Sequence, residues 1–210
     1  MNFEKLKDAE GIFLERFPLG FQSPELIEIV KKHKPEKMQK FAEDSFAETN
    51  FEFPLKVTEN YIKIATSSSM VSVFEKPKFR DYIKSLNEEE KVLVAESLHK
   101  FLYGNEEEGF DYLNQILKNG KMAKWTLLTV VKAYLRPSYD VFVKPTTAKS
   151  ILSQFEIEGI KYSATPNFYF YNEYRNIINE MKANVKEFKV DSNAAFTGFL
   201  MIAMGEFDVE

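Results

Sequence analysis

Asn87-Glu88-Glu89-Glu90-Lys91-Val92-Leu93-Val94-Ala95-Glu96-Ser97-Leu98-His99-Lys100-Phe101-Leu102-Tyr103-Gly104, followed at once by Asn105-Glu106-Glu107-Glu108-Gly109-Phe110-Asp111-Tyr112-Leu113-Asn114-Gln115-Ile116-Leu117-Lys118-Asn119-Gly120, decides the fold class. Each half opens on an Asn, a residue whose side chain accepts from the free amides of a first helical turn. Three glutamates follow. Negative charge is favourable there, and Glu90, three residues after Asn87, completes a capping box. Val92, Leu93, Ala95, Leu98, Phe101 and Leu102 recur at helical spacing, as do Phe110, Leu113, Ile116 and Leu117. Gly104 and Gly120 close the two helices. Lys121 to Arg136 reads as a third, apolar helix stopped by Pro137. Three helices in series with short turns imply antiparallel neighbours.

The same reading extends outward. Ser23 as N-cap and Pro24 at the first helical position start a helix over 24–33, and a second runs from Pro35 to Phe46. Residues 47–57 read as a loop pinned by Phe51, Phe53 and Pro54. Thr58 caps a helix through Tyr61, Ile62 and Ala65, and Ser67 to Ser69 break it. Phe74, Phe79, Tyr82, Ile83 and Leu86 mark another. Beyond Pro137, residues 139–144 alternate as a short extended piece does. Thr146 or Thr147 starts a helix to about Phe155, and residues 159–162 are again extended. An aromatic cluster at 167–171 precedes a helix over 172–185. Asp191-Ser192 caps a last apolar helix ending at Gly205. The expectation is an all-α, compact bundle of about nine or ten helices with at most a minor β-hairpin. No Pro/Gly/Ser-rich linker divides the chain, so residues 1–210 read as a single helical domain; a small N-terminal subdomain over 1–70 is the alternative division.

Composition narrows the function classes. The 210 residues include 28 Lys and Arg against 32 Asp and Glu, 20 Phe, two His and no Cys. Disulfides, thiolate metal sites and cysteine nucleophiles are excluded. Met1 to Asp8 mixes both charge signs with no apolar stretch, unlike a signal peptide. The longest uncharged run, Ser192 to Gly205, is shorter than the roughly 20 apolar residues of a membrane span. The expected location is cytoplasmic, with no membrane partner. Patterns for nucleotide hydrolysis, dinucleotide binding, zinc peptidases, calcium loops and serine esterases are all missing. Glu96-x-x-His99 has the spacing of a di-iron ligand pair, but such a site needs a second pair, and the other histidine, His33, supplies none. Neither a metal nor a cofactor is called for, and the lack of a recognisable catalytic set leans against an enzyme.

Charge is segregated. Between residues 118 and 149 stand seven basic residues, Lys118, Lys121, Lys124, Lys132, Arg136, Lys144 and Lys149, against one acid, Asp140, a net of +6. The rest of the chain carries 21 basic and 31 acidic residues, a net of -10. A stretch this one-sided in an acidic chain predicts an anion-attracting face. Lys144-Pro145-Thr146-Thr147 marks a helix start, whose free amides favour anions, with Lys149 one turn in; a capped helix with two solvated lysines is the plainer reading. Trp125 lies inside this stretch, on a stripe with Leu128, Val131, Lys132 and Leu135 that also suits a core tryptophan. Phe168 to Tyr171 with Tyr174 offers stacking rings, or equally core.

Phe74-Glu75-Lys76-x-x-Phe79-Arg80-Asp81, Leu102-Tyr103-Gly104, Lys124-Trp125-x-x-x-Thr129, Phe142-Val143-Lys144-Pro145 with Lys149, Pro166-Asn167 and Tyr174, in this order, resemble a group of uncharacterised bacterial proteins of similar size. The resemblance covers about residues 74–204. Tyr169 stands where that pattern has Trp, and the tail lacks a further Trp. The resemblance implies a bacterial source and a helical bundle, and it carries no catalytic residues across.

The leading expectation is a non-enzymatic domain binding a protein partner or an anionic ligand through a basic face, with Arg80, Trp125, Arg136, Lys144, Thr146, Lys149 and Tyr174 as candidate site residues. One alternative is a nucleic-acid-associated protein of a defence or DNA-processing system, against which the net charge of -4 counts. Another is an enzyme acting on a phosphorylated small molecule, with Arg80, Arg136, Lys144 and Lys149 on phosphate and Glu75 or Asp81 as base. That reading requires those side chains to converge within hydrogen-bond reach. Oligomeric state is not readable.

Overall fold

The computed structural model describes residues 1–206. They form eleven α-helices: α1 (Phe3–Arg16), α2 (Pro24–His33), α3 (Pro35–Ser45), α4 (Pro54–Ser67), α5 (Glu75–Ser85), α6 (Glu88–Tyr103), α7 (Glu106–Asn119), α8 (Trp125–Leu135), α9 (Pro145–Gln154), α10 (Phe168–Asn184) and α11 (Asn193–Ala203). Two 3-10 turns, Gly20–Gln22 and Glu48–Glu52, join α1 to α2 and α3 to α4. The class is all-α, and no strand occurs among the described residues.

The caps behave as the sequence predicts in the deciding stretch. Asn87 Oδ1 accepts from the Glu90 amide at 2.9 Å, and Glu90 Oε2 accepts from the Asn87 amide at 2.9 Å. Asn105 accepts from the Glu108 amide at 3.1 Å, and Ser192 caps α11 through the Ala195 amide at 3.1 Å. Elsewhere the starts differ. Ser23 precedes α2 in extended conformation, but its hydroxyl makes no capping bond. Pro54, not Thr58, opens α4; a proline lacks only an amide that a first turn leaves free. Lys144 is the N-cap of α9, so Thr146 stands inside its first turn.

Three segments depart further from the pattern. Helix α1 was not expected: its buried stripe is Leu6, Ala9 and Phe13, interleaved with Glu4, Lys5, Lys7, Asp8 and Glu10, too sparse an apolar signal to stand out. Helix α8 starts at Trp125 rather than Lys121, because Lys121 adopts φ 58°, a left-handed turn that a helix cannot continue through. The aromatic run 168–171 is the first turn of α10, capped by Asn167. The two stretches predicted as extended form no ladder. Val141, Phe142 and Val143 instead run buried against α8, where the Val143 amide donates to Thr129 Oγ1 at 3.1 Å.

Helix α8 is the hub. Every residue from Trp125 to Tyr134 is buried, as an all-round apolar helix requires. Helices α3, α4 and α7 pack on it. Tyr61 of α4 donates to the Leu127 carbonyl at 2.8 Å, and the Tyr134 hydroxyl meets Ser68 Oγ at 3.0 Å. Helices α6 and α7 form a close antiparallel hairpin, and α1, α9 and α10 each pack on α11. The buried apolar residues form one cluster running from Leu6 to Ile202.

The hairpin depends on Gly109. A Cβ there would overlap the backbone of Lys100 and Phe101, groups that cannot step aside without parting the helices. Gly109→Ala is expected to lower stability by about 1–3 kcal/mol, the usual range for overpacking. A fall in the urea midpoint at unchanged slope would register it; a midpoint equal to wild type would contradict so close an approach.

Candidate functional site

The basic stretch does not stay together as one face. Lys132 is fully buried, and its ammonium lies inside a group of five ionised side chains. Lys132 Nζ is 2.7 Å from Glu106 and 3.6 Å from Asp140. Arg136 Nε is 2.8 Å from Asp140 and its Nη2 3.5 Å from Glu106. Arg175 Nη1 is 2.9 Å from both Asp140 and Glu106. Tyr171 donates to Asp140 Oδ1 at 2.8 Å, and Lys132 also donates to the Phe101 carbonyl at 3.1 Å. The Lys132 ammonium sits 4.3 Å from the centre of the Phe101 ring, a favourable place for a dehydrated cation. Helices α6, α7, α8 and α10 and the loop after α8 thus meet at one ionic node.

Three cations share two carboxylates there. Burial pushes the Lys132 pKa down, to about 8, although Asp140 and Glu106 favour its charged form; Arg136 adds to the lowering. Burial raises the Glu106 carboxyl, but bonds from Lys132 and Arg175 outweigh it and hold the group below its ordinary value. Tyr171 is raised by burial and by Asp140, so it remains a donor. Both carboxylates are occupied by cations, which leaves neither free to act as a base. The arrangement clamps helices. Sequence reasoning missed it because the partners of Lys132 lie far apart in the chain. A signal was nonetheless present: one lysine on an all-apolar helix, and one acid, Asp140, in a basic stretch.

The seven candidate site residues separate into three places. Arg136 belongs to the ionic node, with a side chain 37% exposed. Arg80, on exposed α5, bonds its neighbour Asp81 at 2.8 Å. Of the remaining five, Trp125, Tyr174 and Lys149 are linked through aromatic rings to Phe170 of α10. Trp125 and Tyr174 are both buried and both pack on the Phe170 ring, with ring centres at 5.1 and 5.7 Å. Trp125 donates to the Ser163 carbonyl at 2.8 Å. Tyr162 also packs on Phe170, at 5.6 Å, and the Lys149 ammonium lies 4.9 Å over the Tyr162 ring. Lys144 and Thr146 are exposed at the start of α9. Glu75 accepts from Thr126 at 2.7 Å, and Asp81 is held by Arg80. Arg80 and Arg136 thus share no bonding partner. His99 faces Glu48 at 3.5 Å and packs on Phe51 and Tyr103.

The basic group at 74–80, which the sequence offers as usable or merely solvated, meets part of the 118–149 stretch where α5 approaches the start of α8. The Thr126–Glu75 bond joins the two helix starts. Tyr82 donates to the Ile116 carbonyl at 2.6 Å, and its ring covers Gly120, where a Cβ would strike it. The last turn of α7 carries exposed Lys118, and the connection so braced carries exposed Lys121 and Lys124; α5 adds half-buried Lys76 and exposed Lys78. Among the described residues, none of these five lysines is in an ion pair. Just before α5, Val73 and Phe74 are 69% and 78% exposed, more than any other large apolar side chain described.

Compared with family models, curated proteins and solved structures, the chain finds no match. No helix among the described residues is long and apolar enough to cross a membrane.

Removing Asp140 leaves Lys132, Arg136 and Arg175 sharing the Glu106 carboxylate alone, with Lys132 and Arg175 still buried. Asp140→Asn is expected to cost about 3–5 kcal/mol, the range for breaking a buried pair, measured by urea unfolding; a loss under 1 kcal/mol would contradict the node's role. Lys132 also sets a pH dependence. Its folded pKa of about 8 lies below the roughly 10.4 of an unfolded lysine. Between these values the unfolded chain binds the extra proton, so this group makes stability rise with pH. The stability of the wild type relative to Lys132→Met is expected to climb from pH 8 to 10, and a flat difference would contradict it.

Proposed function

We propose that this protein is a helical binding domain that takes an acidic protein partner through the surface formed by the start of α5 and the connection from α7 to α8. The observation that carries the reading is the pair Val73–Phe74, exposed beside lysines that have no ion-pair partner. Adjacent exposed apolar residues ringed by charge are the usual composition of an interaction site. The lysines attract an acidic partner at long range, and the apolar pair supplies burial on contact. Lys144 and Lys149 extend the same positive field at its far edge, with Thr146 between them.

The internal clamp sharpens this reading. Two of the seven basic residues in the 118–149 stretch, Lys132 and Arg136, already hold Asp140 and Glu106. The positive charge offered outward therefore rests on Lys118, Lys121, Lys124, Lys144 and Lys149, joined by Lys76 and Lys78. A protein partner is favoured over nucleic acid because Phe74 is the one strongly exposed ring at this place, whereas strand binding rests on several stacking rings. The overall charge of -4 points the same way.

The test is a fluorescence-anisotropy titration with a labelled peptide of alternating Glu and Leu, run at low and moderate salt beside a labelled single-stranded oligonucleotide. The peptide is expected to bind at low salt and weaken as salt rises. Phe74→Asp, and separately Lys121→Glu with Lys124→Glu, should each weaken it about tenfold, roughly 1.4 kcal/mol. No peptide binding at low salt, or tighter binding of the oligonucleotide that the same variants abolish, would overturn the acidic-protein reading.

A further inference from the structure

A second surface has the opposite charge. Where the start of α1, the turn at 157–160 and the outer stripe of α10 meet, a groove of about 380 Å³ opens. Phe3, Ile157, Ile160 and Ile177 give it an apolar floor, and Glu158, Glu173 and Glu180 line it. Glu173, Ile177 and Glu180 are spaced i, i+4, i+7 on α10, which places them along one face of the helix. Gly159, at φ 83°, makes the turn that carries Glu158 and Ile160 to the opposite wall.

The carboxylates of the groove contrast with their neighbour. Glu156, just before the turn, is held by Lys5 at 2.8 Å and by Asn2 at 2.8 Å. Those bonds tie down the start of α1 and keep the Glu156 carboxyl below its ordinary value. Glu158, Glu173 and Glu180 have no ion-pair partner among the described residues. Lys161, exposed beside Ile160, and the amino group of Met1, which lines the groove, set two positive charges against these three. Phe3 is 43% exposed, so part of the apolar floor faces solvent.

From this charge complementarity we propose that the groove docks a basic segment of a partner protein that has an apolar residue between two cations. Glu173 and Glu180 are seven residues apart, about 10 Å along the helix. A partner helix with Lys or Arg one heptad apart and a Leu between them matches that span. Its cations meet the two glutamates, and its Leu covers Ile177. This site is separate from the basic surface of α5 and α8 and stands independently of the reading given to that surface. Carrying both surfaces, the domain holds a cationic partner segment at one place and an acidic one at another.

The probe is a labelled helical peptide with two Arg one heptad apart and Leu between them, followed by anisotropy at low salt. Saturable binding is expected. Glu173→Lys combined with Glu180→Lys should weaken it at least tenfold, and Ile177→Asp should weaken it by a similar factor. Lys121→Glu with Lys124→Glu should leave it unchanged, which separates this groove from the basic surface. Far-UV circular dichroism and the urea midpoint of each variant report whether the fold is retained. Absence of saturable binding, or affinity unchanged in folded Glu173→Lys/Glu180→Lys protein, would overturn the proposal.

Discussion

Asp140 is a fully buried carboxylate, and the elements around it supply it with partners. A carboxylate removed from water without compensation is among the least favourable groups a fold can contain. Here Arg136 arrives from the end of α8, Arg175 and Tyr171 from α10, and Lys132 from one turn earlier in α8. Glu106, at the first turn of α7, shares the same three cations and so draws the α6–α7 hairpin to the node. Asn193 extends the arrangement: its side-chain amide donates to the Tyr139 carbonyl at 2.9 Å and its backbone amide to the Pro137 carbonyl at 2.7 Å, which seats α11. Ionic nodes of this kind add little net stability over an apolar core, but they penalise any packing that leaves one member alone. Here they join α7, α8 and α10 at one place.

The same node decides what the outside of the molecule can do. A run of seven basic residues in sequence looks like one positive face. Lys132 and Arg136 are engaged in the ionic node, and the lysines left unpaired stand at the end of α7, in the connection to α8 and in the first turns of α5 and α9. Val73 and Phe74 stand exposed just before α5, and elsewhere three carboxylates line the groove at 157–160. A net charge of -4 therefore conceals two local surfaces of opposite sign.

Local signals in the sequence were reliable where the physics is local. Capping by Asn87 and Asn105, the closing glycines and the helical period of the buried residues all depend on atoms within a turn or two, and the all-α class was legible from them. Helix α1 was not, since its buried Glu10 is stabilised by distant backbone, accepting from the amides of Lys186 and Glu187 at 2.7 and 3.0 Å. Residues 139–144 misled for a related reason: alternation suggested a strand, yet their partners are a threonine of α8 and the ionic node. Trp125 and Tyr174 have the chemistry of a binding site and the surroundings of a core, and periodicity alone does not distinguish the two. Exposure of Val73 and Phe74 depends on tertiary packing, which no spacing reveals.

The division of lysines between inside and outside is the central claim, and amine acylation followed by peptide mapping tests it most directly. Under native conditions, Lys118, Lys121, Lys124, Lys144 and Lys149 are expected to react readily, while Lys132 remains unmodified until the protein is unfolded. Acylation of Lys132 in the folded protein at a rate like that of the other five would contradict the buried node and the surface assignment built on it.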